Sequence, residues 1–117
     1  MSKVIKTDAY GNKCYYLHED GKASVLHRED GPAIEYSNGG KEWYKNGHLH
    51  REDGPAVETA SGSEYWFKNG QCHREDGPAI KYYNGYKEWY LNNKYYGLNN
   101  DFTNKSWKRF IKTLIFS

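Results

Sequence analysis

His27-Arg28-Glu29-Asp30-Gly31-Pro32-Ala33 is a seven-residue block that the chain uses three times. The same residues return at 50–56 and at 73–79, so each copy begins 23 residues after the previous one. Identical blocks at a fixed period are typical of proteins that build one small unit several times and stack the copies. The sequence therefore predicts an array of repeats, and it indicates much more about architecture than about function.

Composition indicates one ordered domain that relies on aromatic rings. The chain has 117 residues, of which 37% are hydrophobic and 17% aromatic, with 12 Tyr and 4 Trp. A buried ring removes roughly 150–250 Å² from water, so a few rings replace many aliphatic side chains. The net charge is +2, but residues 1–102 carry 13 basic and 15 acidic side chains. An array without excess positive charge argues against binding to extended nucleic acid.

Each repeat contains the pattern of a β-hairpin. Residues 33–36 alternate apolar and polar side chains, 37–40 are typical of a turn, and 41–45 predict the returning strand. Residues 46–47 predict a second turn, and 48–51 a short third strand. Residues 3–26 resemble a degenerate first copy, as terminal repeats are often atypical. We expect a mainly β, antiparallel array of stacked hairpins over residues 1–100, with full repeats from about 27, 50 and 73.

Three sets of equivalent positions are expected to form the core. They are Ile34, Val57 and Ile80; Trp43, Trp66 and Trp89; and Tyr44, Phe67 and Tyr90. Because alternate residues of a strand point to opposite faces, we expect a continuous ladder of Trp on one face and of Tyr or Phe on the other.

The repeat pattern ends near the C-terminus, where Asn93 replaces the turn glycine and Tyr96 replaces the histidine. Residues 101–117 predict one amphipathic α-helix, which Asp101, Thr103 or Asn104 can cap. Its apolar stripe is Trp107, Phe110, Ile111, Leu114 and Ile115, and its basic side is Lys105, Lys108, Arg109 and Lys112. We expect this helix to cover the open end or one face of the sheet.

A 23-residue unit with a Trp-Tyr strand and an Asn-Gly turn resembles a MORN-type hairpin repeat, over about residues 27–96. The His-Arg-Glu-Asp-Gly-Pro-Ala block is similar to the repeat of small bacterial and bacteriophage proteins, and it departs from ordinary MORN repeats in this turn. The resemblance implies a row of hairpins used for interaction and no catalytic residues. A bacteriophage origin would imply interference with a host process.

The threefold His-Arg-Glu-Asp is the first candidate site. In a binding role, the column of His27, His50, His73, Arg28, Arg51 and Arg74 lines one edge of the array. Such a column can bind a nucleotide phosphate or a partner's carboxylates, because Arg presents a rigid bidentate fork. In a structural role, Asp bonds the turn backbone, Arg of one unit pairs with Glu or Asp of the next, and His fills a hydrogen-bonding slot between units. Identical spacing in every unit favours the structural role, because a site is usually needed once.

Tyrosines are the second candidate. Nine of them exceed what a narrow core hides: Tyr15, Tyr16, Tyr36, Tyr65, Tyr82, Tyr83, Tyr86, Tyr95 and Tyr96. Tyr is large and stiff with a polar tip, so it suits binding surfaces. We select Tyr82, Tyr86 and Tyr96 of the last repeat as binding residues, although this repeat is equally suited to seat the helix.

The sequence predicts no enzyme, no metal and no cofactor. His50 and Asp53 offer two ligands per unit, fewer than zinc requires. No Gly-x-Ser-x-Gly, His-Glu-x-x-His or phosphate-binding loop occurs. Cys14 and Cys72 lack neighbours at metal-ligand spacing, and Cys72 takes the position of Leu49, so we expect a small buried residue.

These features favour a non-catalytic binding module for a protein partner. Nucleotide binding is the alternative, because the Arg and His column lies beside rings that can stack on bases. Membrane association through residues 105–116 is a third hypothesis, although an intramolecular lid is the simpler interpretation of a basic amphipathic helix. The N-terminus lacks an apolar signal core and no stretch is long enough to span a membrane, so we expect a cytoplasmic setting. Monomer and edge-paired oligomer both stay open.

Overall fold

A computed structural model describes residues 1–116, with Phe116 described by its backbone alone, and Ser117 of the predicted helical segment lies outside the described residues. The strands are β1 Ser2–Thr7, β2 Lys13–His18, β3 Val25–Leu26, β4 Ile34–Glu35, β5 Lys41–Glu42, β6 Tyr44–Lys45, β7 His48–Leu49, β8 Val57–Glu58, β9 Glu64–Tyr65, β10 Phe67–Lys68, β11 Gln71–Cys72, β12 Ile80–Lys81, β13 Lys87–Leu91 and β14 Lys94–Leu98. A 3₁₀ turn at Asn99–Asp101 leads to helix α1, Asn104–Phe116.

Ten of these strands form one antiparallel sheet. Its spatial order is β1-β2-β4-β5-β8-β9-β12-β13-β14, and β3 pairs with β2. The hairpins β4–β5, β8–β9 and β12–β13 therefore follow one another in sequence order, each paired with the next. Two short ribbons, β6–β7 and β10–β11, lie off this path. The predicted fold class, a mainly β antiparallel array of stacked hairpins with one C-terminal helix, is confirmed.

The returning strand of each early hairpin is interrupted at its tryptophan. Residues 41–45 form β5 and β6 with Trp43 between them, instead of the single strand that we expected. The Trp43 N–H donates to Ala56 O at 2.7 Å, and Trp43 O accepts from the His50 N–H at 3.0 Å. Trp43 thus bonds to the next hairpin on one side and to its own ribbon on the other. The interruption marks where the chain leaves the main sheet to form the ribbon.

Turns with positive φ angles close the ribbons. Asn46 and Gly47 have φ angles of 50° and 83°, in the left-handed region that Asn and Gly tolerate best. At the equivalent place in the last repeat, Asn92 and Asn93 have φ angles of 47° and 70°. Because Asn93 adopts the conformation of the missing glycine, the backbone of the repeat continues into β14, beyond the point where the sequence pattern ends.

The buried core is smaller than the three sets of positions that we expected. Most of those positions are only half-buried: Ile34, Val57, Ile80, Trp43, Trp66, Tyr44, Phe67 and Tyr90. Complete burial occurs at the alanines of the repeated block, since Ala33, Ala56 and Ala79 are each 0% exposed. The apolar interior concentrates at the C-terminal end, where Trp89 and Trp107 are 1% and 0% exposed. Since the repeat strands β4, β5, β8, β9 and β12 are only two residues long, their hairpins depend on other contacts to hold them together.

Helix α1 begins with a reciprocal cap. The Thr103 side chain accepts from the Ser106 N–H at 3.0 Å, and the Ser106 side chain accepts from the Thr103 N–H at 2.8 Å. These bonds occupy backbone donors that the first turn of a helix leaves without intrahelical partners. Of the three caps that the sequence offered, Thr103 is the one whose side chain bonds the first turn.

The apolar stripe of α1 packs on the last hairpin. The Trp107 ring lies 5.4 Å from that of Trp89 and 4.8 Å from that of Phe102, measured between centroids. The indole Nε1 of Trp107 donates to Arg74 O at 2.8 Å. Tyr96 contacts the same indole at 5.8 Å. The helix therefore covers the open C-terminal end of the array.

Candidate functional site

The three repeated arginines stack on aromatic rings. The guanidinium carbon lies 3.8 Å from the ring centroid of Tyr15 for Arg28, 3.8 Å from that of Trp43 for Arg51, and 3.9 Å from that of Trp66 for Arg74. In each case the ring belongs to the preceding repeat, when repeats are counted from His27, His50 and His73. A guanidinium over a ring face is an attractive cation–π arrangement. The expected ladder of tryptophans is thus an alternation of rings and guanidinium groups.

The glycine of each block makes room for the arginine. A Cβ atom added at Gly54 would lie 2.7 Å from Cζ of Arg51, and one added at Gly77 would lie 2.7 Å from Cζ of Arg74. The corresponding distance at Gly31 is 3.1 Å. These glycines are not among the residues with positive φ. A glycine at this position lets the guanidinium lie against the backbone, and the turn itself does not need a left-handed residue.

Hydrogen bonds fix the guanidinium in this position. Nη1 of Arg51 donates to Pro55 O at 3.1 Å and to Glu58 at 3.2 Å. In the other copies, Nε of Arg28 and of Arg74 donates to the Asp two residues later, at 3.0 and 2.8 Å. Arg does pair with Glu and Asp, but the predicted pairing between one unit and the next is wrong, because each arginine bonds acids of its own repeat, counted from its histidine. The link to the preceding repeat is the aromatic ring.

The repeated histidines join successive turns of the chain. The N–H groups of Asn46, Asn69 and Asn92 donate to Nδ1 of His27, His50 and His73, each at 2.9 Å. Because a backbone N–H can only donate, Nδ1 accepts, and the proton of the neutral ring sits on Nε2. Nε2 of His50 lies 2.8 Å from Glu52. The histidine that follows ribbon β6–β7 thus bonds the turn of ribbon β10–β11, which fits the structural role given above.

A shallow groove lies between consecutive blocks. The groove between the first two has a volume of about 590 Å³ and contains Arg28, Trp43, His50 and Arg51. Four carboxylates also line it, those of Glu29, Asp30, Glu52 and Asp53. Since both arginines are already bonded and the carboxylates repel phosphate, this groove offers little to a nucleotide. The histidines and arginines of the predicted column lie close together, but their hydrogen bonds are made to other residues of the array.

The opposite face carries tyrosines that bond to glutamates. The hydroxyls of Tyr36 and Tyr44 donate to Glu42 at 3.0 and 2.9 Å. Those of Tyr82 and Tyr90 donate to Glu88 at 3.4 and 2.8 Å. Residues 42 and 44 alternate with Trp43, so these side chains lie away from the arginine stacks. We call this set, completed by Tyr86 and Tyr95, the tyrosine face.

The environment of this face keeps the phenols protonated. Burial, followed by the hydrogen bond to Glu42, raises the pKa of Tyr36 to about 12. Burial and the hydrogen bond to Glu88 hold the pKa of Tyr90 above its usual value. Burial and the charge of Glu88 do the same to the pKa of Tyr82. At neutral pH these hydroxyls are therefore donors that orient the two carboxylates.

The predicted binding tyrosines of the last repeat divide between two places. Tyr82 and Tyr86 lie on the tyrosine face with ring centroids 5.5 Å apart. Tyr96 instead packs under helix α1. Tyr95 is one of the nine tyrosines predicted to be exposed but not one of the three selected as binding residues; it lies 5.6 Å from the Tyr90 ring and is 47% exposed. Comparison of equivalent positions among the repeats would have favoured Tyr95 over Tyr96, because Leu49 and Cys72 occupy the place of Tyr95.

Cys72 is 5% exposed, as expected of a small buried residue, and burial raises the pKa of its thiol to about 12. A neutral buried thiol is a poor nucleophile.

Over residues 1–116, no group of three or more His, Cys, Asp or Glu side chains is placed to hold a metal ion. Within the same range, no helix has the length and apolar character needed to cross a bilayer.

Comparisons of the chain with family models, with curated proteins and with solved structures find no match. The resemblance to MORN-type repeats therefore stays a prediction from the repeated motif.

Gly54→Ala should destabilise the protein because the new methyl group would collide with the Arg51 guanidinium. We expect a loss of about 1–3 kcal/mol in the free energy of unfolding, the usual cost of overpacking. Gly31→Ala is the matched control, since its added carbon would lie 3.1 Å from the arginine instead of 2.7 Å, and it should cost less. Urea unfolding followed by tryptophan fluorescence measures both. Equal, negligible losses would contradict the space-filling role of the arginine.

The ion pairs of the blocks should make stability depend on pH. Hydrogen bonds from Arg28 and Arg74 hold the pKa values of Asp30 and Asp76 below their usual range. A carboxyl whose pKa is lowered on folding stabilises the native state above its unfolded pKa, about 3.9, and this stabilisation is lost as pH falls through the folded value. We therefore expect the melting temperature to fall as the pH drops below about 4.

Replacement of both aspartates tests this dependence. The double variant Asp30→Asn/Asp76→Asn should melt below the wild type at pH 6 and lose less on acidification. Asp20→Asn, which alters a fully exposed carboxyl, is the control and should keep the wild-type slope. An unchanged slope in the double variant would show that these aspartates do not contribute.

Proposed function

We propose that this chain is a non-catalytic binding module that docks a protein partner on its tyrosine face. The main support for this proposal is a group of exposed tyrosine rings on the last three strands, β12 to β14, and the turn between β12 and β13. Tyr86 and Tyr95 are 36% and 47% exposed, and Tyr83, at the tip of the same hairpin, is 72% exposed. Large stiff side chains with polar tips bury much area on binding and lose little conformational entropy. Tyr83 and Tyr86 lie in the turn between β12 and β13, and Tyr95 lies in β14.

The other surfaces support binding less well. The arginines and histidines of the repeated blocks are occupied in bonds within the array, and carboxylates line the grooves beside them. Nucleotide binding, the alternative from sequence, therefore has little support. Membrane association required Trp107 and Phe110, but these two rings stack on each other at 5.9 Å, and Trp107 is fully buried against the array. The intramolecular lid is the better interpretation of α1.

Affinity capture with matched variants tests the proposed function. The protein is immobilised and incubated with a lysate of the cells in which it naturally occurs, and retained proteins are quantified by mass spectrometry. The face variant is Tyr83→Ser/Tyr86→Ser/Tyr95→Leu, and the control is Lys105→Ala/Lys112→Ala on the exposed side of α1. We expect at least one protein to be retained by the wild type and the control, and about tenfold less by the face variant, as when an interface loses anchor residues.

Two outcomes would contradict this function. One is the absence of any stoichiometric protein on the wild-type matrix. The other is equal retention by the wild type and the face variant, which would place the contact elsewhere. Circular dichroism of each variant should match the wild type, so that a loss of retention reports on the surface and not on folding.

A further inference from the structure

Glu88 is a carboxylate without a cationic neighbour. Over residues 1–116, no Lys, Arg or His nitrogen lies within 4.0 Å of its oxygens, whereas the acids of the repeated blocks are paired with His or Arg. The adjacent Lys87 pairs in register with Lys81, on the side of the sheet opposite to Glu88. Glu88 is half-buried, and its hydrogen bonds come from the Tyr82 and Tyr90 hydroxyls. The tyrosine face therefore holds a carboxylate that forms no ion pair with the described part of the chain.

Two tyrosines bond to this carboxylate, and a further ring packs against each of them. Tyr82 and Tyr90 bond to it, Tyr86 lies 5.5 Å from the Tyr82 ring, and Tyr95 lies 5.6 Å from the Tyr90 ring. The two outer rings are the more exposed pair, at 36% for Tyr86 and 47% for Tyr95, whereas Tyr82 and Tyr90 are half-buried. Rings around a carboxylate form a site that matches a positive charge, because the ring faces and the carboxylate all attract a cation.

The outer two rings are not part of the repeated scaffold. Gly40 and Ser63 occupy the position of Tyr86 in the earlier hairpins, and Leu49 and Cys72 occupy that of Tyr95. In the hairpin β4–β5, Tyr36 and Tyr44 bond to Glu42 in the same way, yet this hairpin lacks both outer rings. Stacking of the hairpins therefore does not require Tyr86 and Tyr95. A binding site that the protein needs only once is expected to lie in a single repeat, as these two rings do.

We infer that the four tyrosines around Glu88 form a receptor for a cationic side chain, a Lys ammonium or an Arg guanidinium, on the protein partner. This inference rests on the proposed function and names the chemistry that the partner presents. The Glu88 carboxylate supplies an ion pair, and Tyr86 and Tyr95 supply ring faces for the remainder of the cation. The hairpin β4–β5 has the carboxylate of Glu42 and its two bonded tyrosines but no outer rings, so it binds such a side chain much more weakly.

Titration with small probes tests the receptor independently of any partner. Isotope-labelled protein is titrated by NMR with N-acetyl-lysine amide, N-acetyl-arginine amide and, as the uncharged control, N-acetyl-norleucine amide. We expect saturable shifts centred on Tyr86, Glu88 and Tyr95 with the two cationic probes, with dissociation constants of about 1–30 mM. Norleucine should produce no saturable shift. Equal response to norleucine, or none to either cation, would overturn the inference.

Matched variants assign the effect to the carboxylate and the outer rings. Glu88→Gln should weaken binding of the lysine probe at least about tenfold, because it removes the charge but keeps an acceptor for the tyrosine hydroxyls. Glu42→Gln, the same change in the first hairpin, should leave it unaltered. Tyr86→Ser/Tyr95→Leu introduces the residues that stand at these positions in earlier repeats, Ser63 and Leu49. We therefore expect this variant to fold normally and to bind the lysine probe weakly. Unaltered binding by Glu88→Gln would overturn the inference.

Partner capture separates this inference from the proposed function. If the wild type and Glu88→Gln retain the same protein to the same extent, the cation receptor is wrong and the binding module stands. If Glu88→Gln and the face variant both lose the protein while Glu42→Gln retains it, both proposals are supported.

Discussion

The array depends on the arginine guanidinium, which lies between an aromatic ring of one repeat and the glycine backbone of the next. Hairpins of two-residue strands have little stability alone, and most of their apolar side chains are only half-buried. The stacked arginine supplies a ring contact, bonds to a carbonyl and bonds to carboxylates at one place. The same constraint explains why the repeated block is so uniform. Arginine needs a neighbouring glycine for space, acids for its donors, and a histidine beside it to hold the next turn.

The C-terminal helix completes this arrangement by replacing the arginine. Gly97 stands 23 residues after Arg74, so no guanidinium is present to cover Trp89. Trp107 of α1 lies against that ring instead, and its indole bonds to the Arg74 carbonyl. The residues that are identical in every repeat are thus used to stack the repeats. Residues that differ, above all Tyr86 and Tyr95, are exposed and take no part in the stacking of the arginines.

Local patterns predict much of this fold. The Asn-Gly turns, the alternating strands and the apolar stripe of α1 each arise from residues close in sequence, and each is present in the structure. The interruption at Trp43 and the arginine stack depend on how successive hairpins twist against each other, which local patterns do not show. Asn93 takes the conformation of a glycine, so the last hairpin extends further than its sequence suggests. Tyr95 and Tyr96 are adjacent, and only the position of the helix decides which one is buried and which one faces solvent.

A double-mutant cycle between Arg51 and Trp43 tests the stacking interaction most directly. The variants Arg51→Gln, Trp43→Leu and the combination of both are unfolded in urea, and the coupling free energy is taken from the cycle. Because the Arg51 guanidinium is stacked on the Trp43 ring and partly desolvated, we expect a favourable coupling free energy of about 0.5–2 kcal/mol between the two side chains. A coupling that is zero within about 0.3 kcal/mol would contradict the account, because it would mean that ring and guanidinium contribute to stability independently of each other.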